Sequence, residues 1–340
     1  METYYVGLDV SKDETAICIR GQDGRIKLAV KKVTDPDAIA GVLGRTGLHI
    51  ACVVMETGRM ANWLYHELEL RGVPVVCVDA RQAHAVLSQM HNKTDANAAM
   101  LADLARTGFY RQIVVKSPLA QKRRALLRAR EVAIKSRMNV ENTIRGLLAS
   151  FGVRLPKQLS TFEQRILDAI NRAPMLADII LPLLRLRTEA LRQAAQLSKV
   201  MLSHARQDEA CQRLMTIPGV GAVSAVTFVA TIDVPERFRR SRSVGAYIGL
   251  TSRRHQSGGM DYGGRISRRG DRMLRTVLYE AANSLLCRAK SGTGQHLKDW
   301  ALALKRRTSH TRAVVALARK LSVIMHALWR DGTVFEMKEA

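Results

Sequence analysis

The residues best suited to chemistry lie between Leu250 and Arg275, LTSRRHQSGGMDYGGRISRRGDRMLR. Arg253, Arg254, Arg265, Arg268, Arg269, Arg272 and Arg275 are interleaved there with five glycines and the hydroxyls of Ser252, Ser257 and Ser267. Guanidinium groups present forked donors that match a phosphate, and glycines let a backbone approach one closely. Ser257, between Gln256 and Gly258, is a hydroxyl placed where a phosphodiester can reach it. The same composition also describes a mobile basic loop whose serines only solvate it, and the local residues leave both readings open.

The whole chain has 340 residues, a formal net charge of +24 and an isoelectric point near 10.5, a balance that favours a polyanionic partner. The charge is unevenly spread. Residues 1–110 hold 12 Lys+Arg and 13 Asp+Glu, net −1, which leaves 54 − 12 = 42 against 30 − 13 = 17, net +25, in the remainder. Binding and another task are therefore divided along the chain. At 47% hydrophobic residues it can bury ordinary cores, which excludes a disordered chain. Five widely spaced cysteines, mostly inside apolar runs, exclude a disulfide scaffold or a zinc pattern and predict a reducing compartment. No signal peptide and no apolar run of membrane-spanning length is read, so the expected location is cytoplasmic, with no membrane partner.

A second group of chemically able residues lies in the near-neutral first third. Asp9 follows the apolar run Tyr4 to Leu8, and Glu56 follows the run His49 to Met55. With short β-branched runs at Thr15 to Ile19, Ile26 to Lys31 and Val73 to Val78, these read as strands. Helical patterns are read from Asp35-Pro36 to Arg45, over Asn62 to Arg71 and over Arg81 to Met90. An antiparallel start followed by strand–helix alternation predicts an α/β domain on a mixed sheet, whose ligand sites belong at the carboxyl ends of strands. Asp95, at a helix start behind Thr94, adds a third carboxylate. Singly each is commonplace, in a turn or at a helix cap; together, hard oxygen donors from three segments suit Mg²⁺.

GLDVSK, METG and NKTDAN, in this order and at these separations, resemble the RuvC-like, RNase H-fold domain of the insertion-sequence-110 transposase family, the bridge-RNA-guided recombinases related to the Piv invertases. The resemblance implies a DEDD set of carboxylates, with Asp9, Glu56 and Asp95 at the first three positions. The fourth position holds Ala98, which supplies no ligand. That departure reads either as a naturally impaired copy or as a deliberate Asp-to-Ala exchange that stalls chemistry.

Ser117-Pro118 opens a helical pattern to about Ser150, with Lys122, Arg123, Arg128, Arg130, Lys135 and Arg137 as a basic face. Further patterns run over Thr161 to Arg172 and from Pro174 or Met175 to His204. This region resembles the family's coiled-coil insertion and is expected either to form a dimer or to fold back on its own chain. Leu214 to Ile232 places Pro218-Gly-Val-Gly221 between apolar helices, like a helix-hairpin-helix whose turn, with Gly219 and Gly221, offers N–H groups to phosphate. With Tyr247-Ile-Gly-Leu-Thr and the Gln256-Ser-Gly triplet that follow, it resembles the family's transposase domain. Amphipathic helices over Leu274 to Arg288 and His310 to Trp329 close the chain.

The expected architecture is thus α/β plus α: a RuvC-like domain over 1–115, a helical coiled-coil region over 116–208, and a mainly helical transposase domain over 209–340. The resemblance implies that Ser257 is the nucleophile, forming a covalent phosphoserine link to DNA, with Mg²⁺ held by the carboxylates. It further implies donor and target DNA and a structured noncoding guide RNA as partners, and a homo-oligomer, dimer or tetramer, whose composite site pairs domains of different subunits. Lys93, Arg123, Arg128, Gly219, Gly221 and the arginines of the 250–275 stretch are the expected nucleic-acid contacts. Two rivals stand beside this reading: a metal-dependent Holliday-junction nuclease in which Ser257 only contacts phosphate, and an inactive nucleic-acid-binding copy.

Overall fold

The structure, a computed structural model, describes residues 2–81, 83, 96–155, 161–288 and 294–336. The chain forms two compact units, Met1–Lys116 and Ser117–Ala340.

The first unit is built on a five-stranded mixed sheet in the order β3-β2-β1-β4-β5. Strands β1 (Thr3–Val10), β2 (Glu14–Gly21) and β3 (Ile26–Val33) pair antiparallel, while β4 (His49–Glu56) and β5 (Val75–Val78) join parallel to β1. Strand alternation divides the side chains between two faces. Val6, Leu8, Ile17, Ile19, Val53 and Met55 face helices α1 (Pro36–Arg45) and α2 (Ala61–Leu70), packing on Ile39, Leu43, Leu64 and Leu68. Asp35 caps α1 by accepting from Ala38 N at 2.8 Å, with Pro36 at the first turn.

Helix α3 (Ala96–Thr107) covers the other face, where Leu101, Leu104 and Ala105 meet Val54 and Val78, and Ala98 and Ala102 meet Cys18. Gly7 makes this approach possible. A methyl added there would overlap the Ala98 carbonyl oxygen and the Ala102 nitrogen and stand 2.8 Å from the Leu101 carbonyl carbon, so α3 lies main chain to main chain on β1.

The second unit begins with α4 (Pro118–Ser150), continues through α5 (Phe162–Arg172) and returns along α6 (Ala177–Gln207). Ser117 caps α4, accepting from Ala120 N at 3.1 Å, and is itself fixed by Asp233, whose carboxylate accepts from its N–H and its hydroxyl, each at 2.7 Å. The two long helices pack on each other within one chain. Arg130 donates to Ser198 at 2.8 Å and Arg187 to the buried Glu141 at 2.9 Å, and Val140, Ile144 and Leu148 close with Phe162, Ile166 and Ile180 at the far end. The apolar stripe is in this way largely used inside the chain, as a helical hairpin.

Next come α7 (Glu209–Met215), α8 (Ala222–Ile232), α9 (Arg242–Tyr247), strands β6 (Ser252–Ser257) and β7 (Met260–Ile266), and helices α10 (Arg272–Arg288), α11 (Gln295–Arg307) and α12 (His310–Asp331). Helix α8 is buried on every side from Ser224 onward, as its predominantly apolar sequence allows, and is enclosed by α4, α6, α7 and α10, with Leu214, Leu278 and Leu285 in the same core. No two cysteines are bonded, and no helix among the described residues is long and apolar enough to cross a membrane.

Candidate active site and nucleic-acid surface

Two of the expected carboxylates meet at one end of the sheet. The parallel register runs to Leu8 opposite Met55, so the next step along both strands brings Asp9 beside Glu56. Both lie on the face covered by α3, since Gly7 and Val54, two residues earlier, meet that helix. Each is partly exposed. Asn97, in the first turn of α3, donates to the Asp9 carboxylate at 3.2 Å, a contact the sequence alone did not reveal. Ala98 is 4% exposed and lies against Cys18 and Ala102, with Ala16, the strand partner of Asp9, beside it. Asp95 and Lys93, and most of the helix expected over Arg81 to Met90, lie outside the described residues.

Asp79, at the end of β5, is a third carboxylate at this end of the sheet. It serves its own turn, accepting from Arg81 N at 2.9 Å with the Arg81 guanidinium 3.5 Å away. Among the described residues no three His, Cys, Asp or Glu side chains group closely enough to hold a metal ion. Asp9 and Glu56 nonetheless offer the donor chemistry a small hard cation takes, carboxylate oxygens from neighbouring strands, each partly exposed.

The basic stretch is a hairpin, not a loop. β6 and β7 pair antiparallel with Ser257 opposite Met260, and Gly258-Gly259 form the turn, Gly258 at φ +56. A two-residue turn of this kind needs the left-handed backbone that glycine supplies. Ser257 is the last strand residue before the turn and is exposed, as are Arg253, Arg254 and Arg265. Arg254 is not idle: it grips Asp261 across the hairpin with both a 2.8 Å bond from Nε and a shorter one from Nη2, and this pairing holds the Asp261 carboxyl below its usual pKa. Because that pair is exposed, a phosphate can compete for it.

The turn after the hairpin is docked on main chain. Glycines make this possible: methyls at Gly249 and Gly270 would overlap the carbonyls of Arg269 and Tyr247 respectively. Arg268 adopts φ +55, and Arg275 holds the turn from beneath, one guanidinium nitrogen donating to the carbonyls of Ile248, Arg269 and Gly270 at 3.1, 2.8 and 3.1 Å. Arg275 is therefore a scaffold, while Arg268, Arg269 and Arg272 stay exposed. Ser267 is half-buried, its N–H bonded to the Thr251 carbonyl.

Other expected contacts are placed differently. Arg123 is 8% exposed and paired with Asp208 inside the unit, so it is a core ion pair and not part of a binding face. Burial works to raise the Asp208 pKa, but the Cys211 N–H and Arg123 outweigh it and hold the carboxyl below its usual range. Arg128 is exposed on α4 and 3.3 Å from Glu131, and Arg130 is taken by Ser198. Gly219, at φ +84, backs onto α10: a methyl there would stand 2.5 Å from the Ala281 carbonyl oxygen. A glycine is required there for the turn to pack against α10. Gly221 caps α8 with open space beside it.

Comparison with known proteins points one way. A model of the DEDD transposase of IS110 matches residues 6–152, and one described as the transposase IS116/IS110/IS902 family matches residues 211–298. The transposase for insertion sequence element IS1111A of Coxiella burnetii is 31% identical over 332 residues, covering 95% of this chain and 88% of that protein. The transposase for insertion sequence element IS1328 of Yersinia enterocolitica is 25% identical over 341 residues, covering 97% and 98%. A probable family 20 transposase of Pseudomonas aeruginosa is 29% identical over 290 residues, covering 83% and 85%.

Proposed function

The chain belongs to the IS116/IS110/IS902 transposases, enzymes that cut and rejoin DNA, and from that premise we propose that it recombines DNA through a serine nucleophile and a carboxylate-bound metal. The observation that carries the nucleophile is the placement of Ser257, exposed on the last residue of β6 beside a two-glycine turn and between arginine-bearing strands. In the proposed step Ser257 Oγ attacks a DNA phosphorus. The new Oγ–P bond replaces one P–O bond to a deoxyribose, and the serine proton ends on the departing sugar oxygen. A second sugar hydroxyl reverses the exchange, joining the new strand and freeing the serine. Arg253, Arg265, Arg268, Arg269 and Arg272 orient the phosphates by charge-assisted hydrogen bonds.

Asp9 and Glu56, with Asp95, are the residues that would hold Mg²⁺, whose chemistry at such a site is to neutralise charge on a phosphate oxygen and to activate the reacting oxygens. Asn97 orients Asp9. At position 98 this chain offers a methyl where the DEDD pattern has a carboxylate, so the proposal assigns it weakened cleavage with nucleic-acid binding intact. A structured guide RNA and a homo-oligomer complete the proposed assembly. The test is strand cleavage of supercoiled DNA by the chain with Ala98→Asp, alone and combined with Asp9→Asn or Glu56→Gln. Cleavage should depend on both carboxylates, and cleavage that persists without them removes the metal from the account.

A further inference from the structure

A second cationic feature lies in the segment joining α8 to α9. Residues 237–242, Arg-Phe-Arg-Arg-Ser-Arg, hold four arginines and no carboxylate. The segment is fastened by one imidazole. His326, fully buried on α12, places one ring nitrogen 2.9 Å from the Pro235 carbonyl oxygen and the other 2.9 Å from Ser241 Oγ. A carbonyl only accepts, so Nε2 carries the hydrogen and Nδ1 accepts from the serine hydroxyl. Phe238 then stands edge-on to the His326 ring at 5.5 Å and to Tyr247 at 5.2 Å.

Arg237 is held by those rings. Its guanidinium carbon lies 4.6 Å over Phe238 and 4.4 Å over Tyr247, and its Nε and Nη2 are enclosed without a hydrogen-bond partner. Among the described residues neither Arg237 nor the exposed Arg239, Arg240 and Arg242 forms an ion pair. A core arginine kept for stability is normally matched by an acid, as Arg123 is by Asp208 and Arg187 by Glu141. Arg237 has no acid within ion-pair distance among the described residues; the rings fix it in place, and the exposed Arg239, Arg240 and Arg242 beside it remain open to an anion brought from outside. The feature also adjoins the hairpin's basic surface, because the Tyr247 carbonyl rests directly on Gly270, next to Arg268 and Arg269.

We propose that Arg237–Arg242 is a second phosphodiester-binding site, in which the exposed Arg239, Arg240 and Arg242 contact a nucleic-acid backbone continuing from the hairpin and Arg237, set between Phe238 and Tyr247, fixes the segment that presents them. This rests on the transposase reading only in taking a nucleic acid as the ligand. The repeating, forked acceptors of a phosphodiester chain match these closely spaced, exposed guanidiniums better than the scattered carboxylates of a protein do.

The test uses the full chain and measures affinity against salt for a DNA duplex and an RNA hairpin, with poly-glutamate as competitor. Arg237→Gln, by loosening the segment, should weaken binding about tenfold and lower the log-log salt slope by about one. Arg237→Lys should fall between, since an ammonium keeps the charge and loses the stacked fork. The exposed double variant Arg239→Ala with Arg240→Ala should lower the slope by about two with an unchanged melting temperature, and carries the test if Arg237→Gln does not fold. Loss confined to DNA, confined to RNA, or shared by both supports the site and names its backbone. Unchanged slopes in these variants, while Arg265→Ala with Arg268→Ala binds more weakly, overturn the site alone. Unchanged slopes in every variant overturn the nucleic-acid reading itself. Displacement of nucleic acid by poly-glutamate from the hairpin double variant but not from the Arg239/Arg240 variant assigns the segment to an acidic protein and also overturns it.

Discussion

Restoring a carboxylate at position 98 should make the stability of the first unit depend on magnesium. Ala98, on the sheet-facing side of α3, is 4% exposed and lies against Cys18 and Ala102, over the sheet face that carries Asp9 and Glu56. An aspartate there loses most of its hydration and stands near Asp9, whose strand partner Ala16 lies beside it, and both effects raise its pKa in the folded state. A rise of about two units corresponds to about 2.7 kcal/mol lost at neutral pH. For a unit of this size that lowers the melting temperature by roughly 10 °C. The sign follows from the raised folded pKa: the loss is full above that pKa and disappears as the pH falls below about 4, where the side chain is neutral folded or unfolded. A cation that binds only the folded site works in the opposite direction, supplying about 2.7 kcal/mol at one hundred times its dissociation constant. Thermal melts of the parent and of Ala98→Asp, in chelator and in Mg²⁺, at neutral pH and near pH 4, read out all three terms. The variant should melt well below the parent in chelator, recover in Mg²⁺, and match the parent near pH 4. Equal melting in chelator, or the same small Mg²⁺ shift in both proteins, would refute the placement of position 98 at a metal site.

Two further outcomes follow from packing and burial. Gly7→Ala forces a methyl into the α3 main chain, where no side chain can turn aside, and should cost about 3 kcal/mol or more in urea denaturation, with cleavage falling in parallel; a cost under about 1 kcal/mol would mean that α3 does not rest on β1. His326 is buried neutral, and burial lowers its pKa, so the stability tied to it is present above its unfolded value near 6.5 and is lost as the pH drops through the folded value. Unfolding free energies between pH 7.5 and 5 should therefore fall more steeply for the parent than for His326→Gln, by up to about 1.4 kcal/mol per pH unit; parallel profiles would contradict the neutral imidazole.

Much of the first unit is legible in the sequence because its strands are buried and patterned. Val6 and Leu8 alternate with Gly7 and Asp9, and the apolar run ending at Met55 delivers Glu56 to the same sheet end. What Gly7 does is not legible, since its reason is a helix about ninety residues later whose crossing point only the fold fixes. The hairpin of β6 and β7 escapes notice because both its faces meet solvent, so no hydrophobic period marks it; Gly258-Gly259 between two short runs was the available signal. Helix α11 is hidden in the same way, burying only Leu297 and Ala301 amid charged residues. Arg123 looks like its exposed neighbours on a helical wheel, and Asp208, which claims it, is 85 positions away. The ring stack on Arg237 likewise needs Tyr247 and His326, brought together by tertiary packing.

The most direct test of the account is whether DNA becomes joined to the protein, and through which hydroxyl. End-labelled DNA is incubated in Mg²⁺ with the chain carrying Ala98→Asp, then run on a denaturing gel with and without protease. The account predicts a protease-sensitive shifted band that vanishes in Ser257→Ala, persists in Ser267→Ala, and leaves DNA affinity nearly unchanged in both, because one hydroxyl is removed from a surface held by many arginines. Cleaved DNA with no shifted band in any variant, or a band that survives in Ser257→Ala, would contradict it.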